Sequence, residues 1–559
     1  MRSFPSPRTF RMSRMSWKVL AVVASMSLVA AACGGGGGKK AATGQTGATA
    51  APGEGTPKAG GNLIIGVTSE VSGMDPSKDR WDTSGSMYAF SVFDPLATYG
   101  KDGKVHPYLA QSLDHNADYT EWTIKLRSGV TFSNGDPLTA DDVVFDLNAY
   151  RKAPLTGPPL ASIASVDKID PLTVSVKTKE PWVPFDAYMT TQVGVVASPK
   201  QLQSSNSSNN PIGTGPFTLK EWIRGSHFIA TKNAHYWQSG LPYLDQVEYR
   251  PIIDDQARES SLVSGTIDVM FAGTTQNIVD TRANKSLKTI DNGKAVTNSD
   301  VGFVQLNTAV APFNNILARQ ALAYATDRKR VIDTVDNGLL TPADGPFANP
   351  TSPYHSTTSY PAFDLTKAKS LVQQYQQQTG KPLSFELGST NQTVATKHAT
   401  LLQDMWSQAG MQVSLKQVEQ DPFIVNAVIG KYQAYVWAQY GEPDPDIDYT
   451  WWHSALAGPV GGFALNFARN KDPQVDAALA AGRHATDQAQ RVKAYQDIAD
   501  RFAVDLPYIW LGVTLNQIAF KPNVHGFLDW KLPDGSPGYD YLLVSYQPGG
   551  FLAGHVWAG

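Results

Sequence analysis

The sequence predicts an α/β protein built from more than one lobe, and three observations carry that prediction. Stretches of period-two alternation rich in β-branched residues recur along the chain, separated by stretches of helical spacing. The chain has 559 residues, whereas a single domain averages roughly 100–200. Its 42% hydrophobic and 10% aromatic content is that of a folded globular protein able to fill several cores. There is no short-period internal repeat, which argues against a solenoid.

The elements follow in order. Gly61-Asn62-Leu63-Ile64-Ile65-Gly66-Val67 reads as a first strand after a glycine break. Tyr119 to Arg127 alternates apolar and polar residues, as a half-buried strand does. Leu138 to Phe145 opens a helix, with Thr139 as cap and Asp142 three residues on completing a capping-box pattern. Val166 to Lys177 alternates again. Residues 316–335 show helical spacing through Leu317, Ala321, Leu322 and Ala325, and residues 364–378 and 393–409 repeat it. Val413 to Val418 reads as a strand. Asp472-Pro473 opens a helix, Asp as cap and Pro at an early position, and residues 488–503 form another before Pro507.

The N-terminus reads as an address. Arg2, Arg8, Arg11, Arg14 and Lys18 precede an apolar run of about fourteen residues, Val19 to Ala32. A bilayer-spanning helix needs ~20, so this is the charged region and apolar region of a signal peptide over residues 1–32. No Arg-Arg pair precedes the run, which favours the general secretory route. Met12 and Met15 are alternative starts to Met1. Ala30-Ala31-Ala32 sits directly before Cys33, the one cysteine of the chain. This resembles a bacterial lipobox with Ala at position −3, and it implies that Cys33 is lipidated and becomes the mature N-terminus. Two acyl chains, at ~0.8 kcal/mol per buried methylene, suffice for stable anchoring. Residues 33–60 are rich in Gly, Ala and Thr and read as a flexible tether. The expected location is therefore the outer face of the cytoplasmic membrane.

Composition excludes several classes of function. The first 32 residues hold five of the 47 Lys and Arg and no acid, so the remainder carries 42 basic against 50 acidic side chains. That balance lacks the basic surface that nucleic acid requires. One cysteine makes no internal disulfide. The 10 histidines are scattered and no HExxH occurs, so no metal site is expected. No Gly-x-Ser-x-Gly occurs, and Ser165-Val166-Asp167-Lys168 lacks the companion motifs of a Ser-x-x-Lys hydrolase. Neither an enzyme nor a cofactor is expected.

Four blocks carry a family resemblance. The strongest runs from Tyr108-Leu109-Ala110-Gln111-Ser112 through Trp122 to Phe132 and on to Asn134-Gly135-Asp136-Pro137-Leu138-Thr139-Ala140-Asp141-Asp142-Val143. The second is Gly213-Thr214-Gly215-Pro216-Phe217 with Asn233, Tyr236-Trp237 and Leu244-Asp245. The third is Leu306-Asn307-Thr308, Pro312-Phe313 and Arg319 to Arg328; the fourth is Val436-Trp437 with Pro443-Asp444-Pro445-Asp446. In this order and spacing they resemble the bacterial extracellular solute-binding proteins of family 5, the oligopeptide-, dipeptide- and nickel-binding subunits of ABC importers. The resemblance covers about Gly61 to Phe527.

It implies a periplasmic-binding-protein-like type II fold: two hinged α/β lobes plus an inserted third domain. Lobe I would comprise 61–100, 211–300 and 506–559, the inserted domain II 101–210, and lobe III 301–505. The implied function is capture of a short peptide or peptide-like solute between closing lobes, for delivery to an ABC permease driven by cytoplasmic ATPases, by a monomer. An uncharged or sugar-like ligand, or a sensing role, is the alternative. Most block residues serve packing and turns; the glycines of Gly213-Thr214-Gly215 are expected to permit positive φ.

In peptide-binding relatives an acid after the tryptophan-bearing strand pairs with the ligand's ammonium, and the resemblance puts Gln439 at that place. An amide brings no charge, so Glu442, Asp444 or Asp446 takes over or the ligand lacks a free ammonium. The ligand set implied is Trp437, Gln439, Tyr440, Glu442, Trp451, Trp452, Trp81, Asn391 and Asn466, with one of the adjacent pair Trp451-Trp452 open to assignment to the core.

Overall fold

Two large sheets organise the chain, and each is assembled from distant segments. A computed structural model describes residues 55–79, 81–292, 300–439, 444–528, 530–538 and 551–559, all within one unit spanning Gly47–Gly559. The expected signal peptide, Cys33 and most of the expected tether lie outside the described residues, as do Tyr440 and Glu442. Among the described residues no helix is long and apolar enough to cross a membrane.

The first sheet has seven strands. In spatial order they are Lys288–Asp291, Gln517–Phe520, Val269–Ala272, Asn62–Val67, Gln246–Pro251, His227–Lys232 and Phe217–Ile223. Asn62–Val67 is central and pairs in parallel with both neighbours, so it is covered on both faces. Its side chains Leu63, Ile65 and Val67 are buried accordingly, in a core shared with Trp81, Tyr88, Phe93, Phe228 and Tyr249. The second sheet has six strands: Thr341–Pro342, Tyr508–Val513, Val301–Leu306, Ala434–Gln439, Ser384–Thr390 and Gln412–Val418. Its core holds Phe303, Leu322, Trp406, Trp452, Tyr495, Phe502 and Trp510. A third, antiparallel sheet of four strands falls within residues 110–178 and has its own core of Trp122, Ile124, Tyr150, Trp182 and Tyr188. Separate cores on separate sheets are the physical content of a lobe, and we refer to the parts built on the three sheets as lobe I, lobe III and domain II.

The chain crosses between the first two sheets twice, after Asp291 and again after Val513. The two crossings are bonded to each other. Asn292 N–H donates to Asn516 O at 3.2 Å, Asn516 N–H to Asn292 Oδ1 at 2.9 Å, and Thr514 N–H to Asp300 O at 2.8 Å. The strand Tyr508–Val513 pairs with Val301–Leu306. The return to lobe I therefore lies at 514–516 and not at the expected 505/506. Pro507 ends a helix there, and the hydrophobic run after it stays in the lobe III sheet.

Local chemistry explains the element ends. Asn62–Val67, Glu121–Leu126 and Gln412–Val418 match the expected strands. Thr139 caps the helix Ala140–Tyr150, and the Asp142 carboxylate accepts its backbone N–H at 2.8 Å. The alternation at 166–177 is a hairpin, Ile163–Asp170 and Thr173–Thr178, turned at Pro171-Leu172. The expected helix over 316–335 is two helices, Ile316–Ala325 and Arg328–Val335. The break has a cause: Thr326 accepts the buried indole N–H of Trp406 at 3.0 Å, and Asp327 caps the second helix by accepting Arg330 N–H at 3.0 Å.

Gly213 and Gly215 are not among the positive-φ glycines, contrary to expectation. They are required for close approach instead. A Cβ on Gly213 would lie 2.2 Å from Val92 O, and one on Gly215 would lie 2.4 Å from Val92 C. Both glycines thus let the chain leaving domain II press on the helix Thr83–Val92 of lobe I.

Candidate functional site

One cleft draws its walls from all three lobes. Asp79 comes from lobe I. Leu155, Thr156, Pro159, Tyr188, Thr191, Gln192 and Val193 come from domain II, and Ile447, Asp448, Thr450, Trp451 and Leu465 come from lobe III. It encloses about 820 Å³ of empty space, solvent at its mouth included. The lining alternates flat or branched apolar groups with hydroxyl, amide and carboxylate groups, the usual make-up of a small-molecule site at a domain interface.

The lobe III wall is built from the loop that follows the strand Ala434–Gln439. Asp444 caps a short 3₁₀ turn, Pro445–Asp448, by accepting Asp446 N–H at 2.9 Å. A single helical turn, Tyr449–Trp452, follows at once. That turn separates the adjacent tryptophans. Trp452 points inward, 2% exposed, against Phe347 and Phe502 in the lobe III core. Trp451 lines the cleft, its ring set edge-on to Phe467 at 4.8 Å. Phe467 continues a chain of ring contacts through Trp437 (5.6 Å), Phe423 (5.1 Å) and Tyr435 (4.0 Å). Trp451 is thus the exposed end of a rigid aromatic row, and Trp437 is an interior member of it.

The acids of this loop are already engaged. Asp444 accepts Arg491 Nη2 at 2.8 Å, and Arg491 also donates to Gly482 O at 2.9 Å. Asp446, wholly buried, accepts Arg483 Nε at 3.1 Å on both oxygens and the Trp182 indole N–H at 3.1 Å. Burial alone would depress the Arg483 guanidinium, but the Asp446 carboxylate more than offsets this and holds it above its ordinary range. The expectation that Asp444 or Asp446 substitutes for the missing acid at 439 is therefore corrected: both neutralise buried arginines. Asp448, two residues on, is the member of the loop that lines the cleft. Across the interface, burial and the Asp444 carboxylate push Asp186 of domain II up to about 6.

The other expected ligand residues are placed as follows. Trp81 is 1% exposed, donates its indole N–H to Gly73 O at 3.0 Å and stacks on Phe93 at 5.9 Å; Asp79, two residues earlier, reaches the cleft in its place. Asn466 is 1% exposed, and its amide donates to Trp452 O at 3.1 Å and Asn470 O at 2.9 Å, fixing the wall from behind. Asn391 is exposed and donates to both Glu419 oxygens, at 3.0 and 2.9 Å. Gln439 ends its strand opposite Val301, the first strand residue after the crossing. Sequence reasoning missed the domain II wall. Its one visible signal is Leu155-Thr156-Gly157-Pro158-Pro159, a turn-forming run with two apolar anchors. Among the described residues, no group of three or more His, Cys, Asp or Glu is arranged to hold a metal ion.

Known proteins share this fold. Residues 104–458 match the family described as bacterial extracellular solute-binding proteins, family 5 Middle. The chain is 27% identical over 506 residues to the glutathione-binding protein GsiB of Salmonella typhi, covering 86% of this chain and 94% of that one. Among solved structures, it superposes with a TM-score of 0.76 on AgaA from A. tumefaciens R10 in complex with agropinic acid, at 26% identity, covering 89% of this chain and 99% of that one. On the oligopeptide-binding protein AppA of Bacillus subtilis, in complex with a nonapeptide, the TM-score is 0.78 at 22% identity, covering 90% and 100%. The chain belongs to the bacterial extracellular solute-binding proteins of family 5, and it is an extracytoplasmic binding protein of the ABC-transporter type, not an enzyme.

Proposed function

We propose that this protein captures a short peptide or peptide-like solute in the cleft between lobe III and the lobe I–domain II pair and hands it to an ABC permease. The observation that carries this reading is the cleft with walls from three lobes, lined by the Trp451 ring, the side chains of Asp79 and Asp448, and the polar groups of Thr156, Thr191 and Gln192. Such a lining suits a guest with apolar side groups and several hydrogen-bond donors. Relatives named as glutathione-binding or solved with a nonapeptide support the same class. Lipidation of Cys33 would hold the body, as a monomer, at the membrane beside its permease. A ligand shifts the lobes only through contacts it makes with both walls at once.

A second reading has its own support. Gln439 is neutral, Asp444 and Asp446 are neutralised, and AgaA is solved with agropinic acid. A guest without a free ammonium fits those facts. The test is calorimetry of the purified mature protein with glutathione, free-amine di- to tetrapeptides, their N-acetylated forms and sugar-derived amino-acid conjugates. Binding of peptides with micromolar or tighter affinity is expected; binding of the conjugates alone would overturn the peptide reading, and chemical alteration of any guest would overturn both. In the same panel Gln439→Asp should favour free-amine over acetylated peptides by roughly tenfold, the scale of adding one charge to a hydrogen bond. An unchanged ratio removes Gln439 from the ligand set.

A further inference from the structure

Domain II touches lobe III around one buried ion pair, and the bonds have an unusual division of labour. Both charges, Asp446 and Arg483, belong to lobe III. Domain II meets the pair itself with neutral groups, and at the rim its Glu180 Oε2 lies 3.3 Å from His484 Nε2 of lobe III. Trp182 donates its indole N–H to Asp446 Oδ2 at 3.1 Å, and Tyr188 donates its hydroxyl to Asp446 O at 2.5 Å. Arg483 Nη1 donates to Ser162 Oγ at 3.2 Å and Nη2 to Tyr188 Oη at 3.1 Å. The Val183 N–H donates to Arg483 O at 3.0 Å. The guanidinium also lies over the Trp182 ring, 4.9 Å from its centre.

This division matters for reversibility. An ion pair shared between lobes would leave two unpaired charges when the lobes part. Here the buried pair stays intact on lobe III, and parting exchanges its charge-assisted bonds to neutral domain II partners for bonds to water. The contact is therefore strong enough to align the lobes and weak enough to release. It also adjoins the ligand: Tyr188 both joins the contact and lines the cleft, and Ile447 and Asp448 follow Asp446 directly.

We propose that the Asp446–Arg483 pair with its domain II partners Ser162, Trp182, Val183 and Tyr188 is a releasable latch that sets how often the ligand-free protein is closed. This rests on the reading that the lobes open and close on a guest. It is tested without any guest, so failure to bind peptides and failure of the latch are separate outcomes. The Val183 amide, bonded across the interface, is the reporter. In the ligand-free full chain, Arg483→Lys keeps the charge but loses the guanidinium fork, and Ser162→Ala removes the acceptor of Arg483 Nη1 and the donor to Glu180 Oε1 without touching the cleft lining. Hydrogen exchange at Val183 should accelerate by about tenfold or more in Arg483→Lys and by a smaller factor in Ser162→Ala, with the amides of Val304 and Ile509 in the lobe III sheet unchanged, the signature of local opening. Small-angle scattering should show a larger radius of gyration for Arg483→Lys. Unchanged Val183 exchange in both variants, or acceleration only in step with Val304 and Ile509, would overturn the latch.

Discussion

Two of the places where the halves of the molecule meet are of opposite character. At the crossing, chain continuity and backbone bonds among Asn292, Asp300, Thr514 and Asn516 join lobes I and III. At the far side, domain II meets lobe III through side chains gathered on Asp446 and Arg483. The first joint can bend but cannot part. The second can part without splitting the buried Asp446–Arg483 pair. The difference teaches which residues should affect shape and which should affect only stability.

The sharpest way to break the comparison is to remove each buried arginine in turn. Arg483 bridges two lobes, whereas Arg491 pairs with Asp444 inside lobe III. Arg483→Met and Arg491→Met should each lower unfolding stability by about 3–5 kcal/mol, because each strands a buried carboxylate. Denaturant melts will measure this, and only Arg483→Met should also change the scattering profile of the folded protein. Next comes the junction of lobe I and domain II, where Asp94 accepts Trp237 Nε1–H at 2.9 Å and Thr214 Oγ1–H at 3.2 Å. Burial pushes its carboxyl from 3.8 up to about 7. The folded state then holds a proton that the unfolded state releases, so stability is greatest below pH 3.8 for this group and falls as pH rises toward 7, by roughly 4 kcal/mol across that window. Asp94→Asn should flatten the decline between pH 5 and 7 in thermal melts.

A smaller effect is expected at the cleft. Trp451→Ala removes the outer ring of the aromatic row and should weaken binding of whichever panel ligand binds by about 10–100-fold, with the melting temperature nearly unchanged. The smallest concerns the crossing itself. Asn292→Ala deletes the acceptor of the Asn516 N–H and should cost about 1 kcal/mol, while relaxation dispersion should report faster lobe motion.

Much of the fold was legible because periodicity and caps are local. Thr139 with Asp142, and Asp472 with Pro473, mark helix starts that the structure keeps. The split of 316–335 was not legible, since it depends on Trp406 reaching Thr326 from 80 residues away. The same applies to the site. Trp451 could be nominated from its neighbour and its loop, but only the turn Tyr449–Trp452 decides which of the two rings lines the cleft. Asp444 and Asp446 looked available because their arginines stand 47 and 37 residues further along. The domain II wall escaped because Tyr188 and Gln192 carry no local mark of ligand contact, and Leu155 carries only the turn-forming run around it.

The engagement of Asp444 and Asp446 has a consequence for engineering and for divergence. Frame and lining are next to each other in sequence yet separable: Asp444 and Asp446 hold buried arginines, while Asp448 and Trp451 line the cleft. Selectivity can therefore be recut at Leu155, Ile447, Asp448 or Trp451, leaving the mechanical frame as it stands.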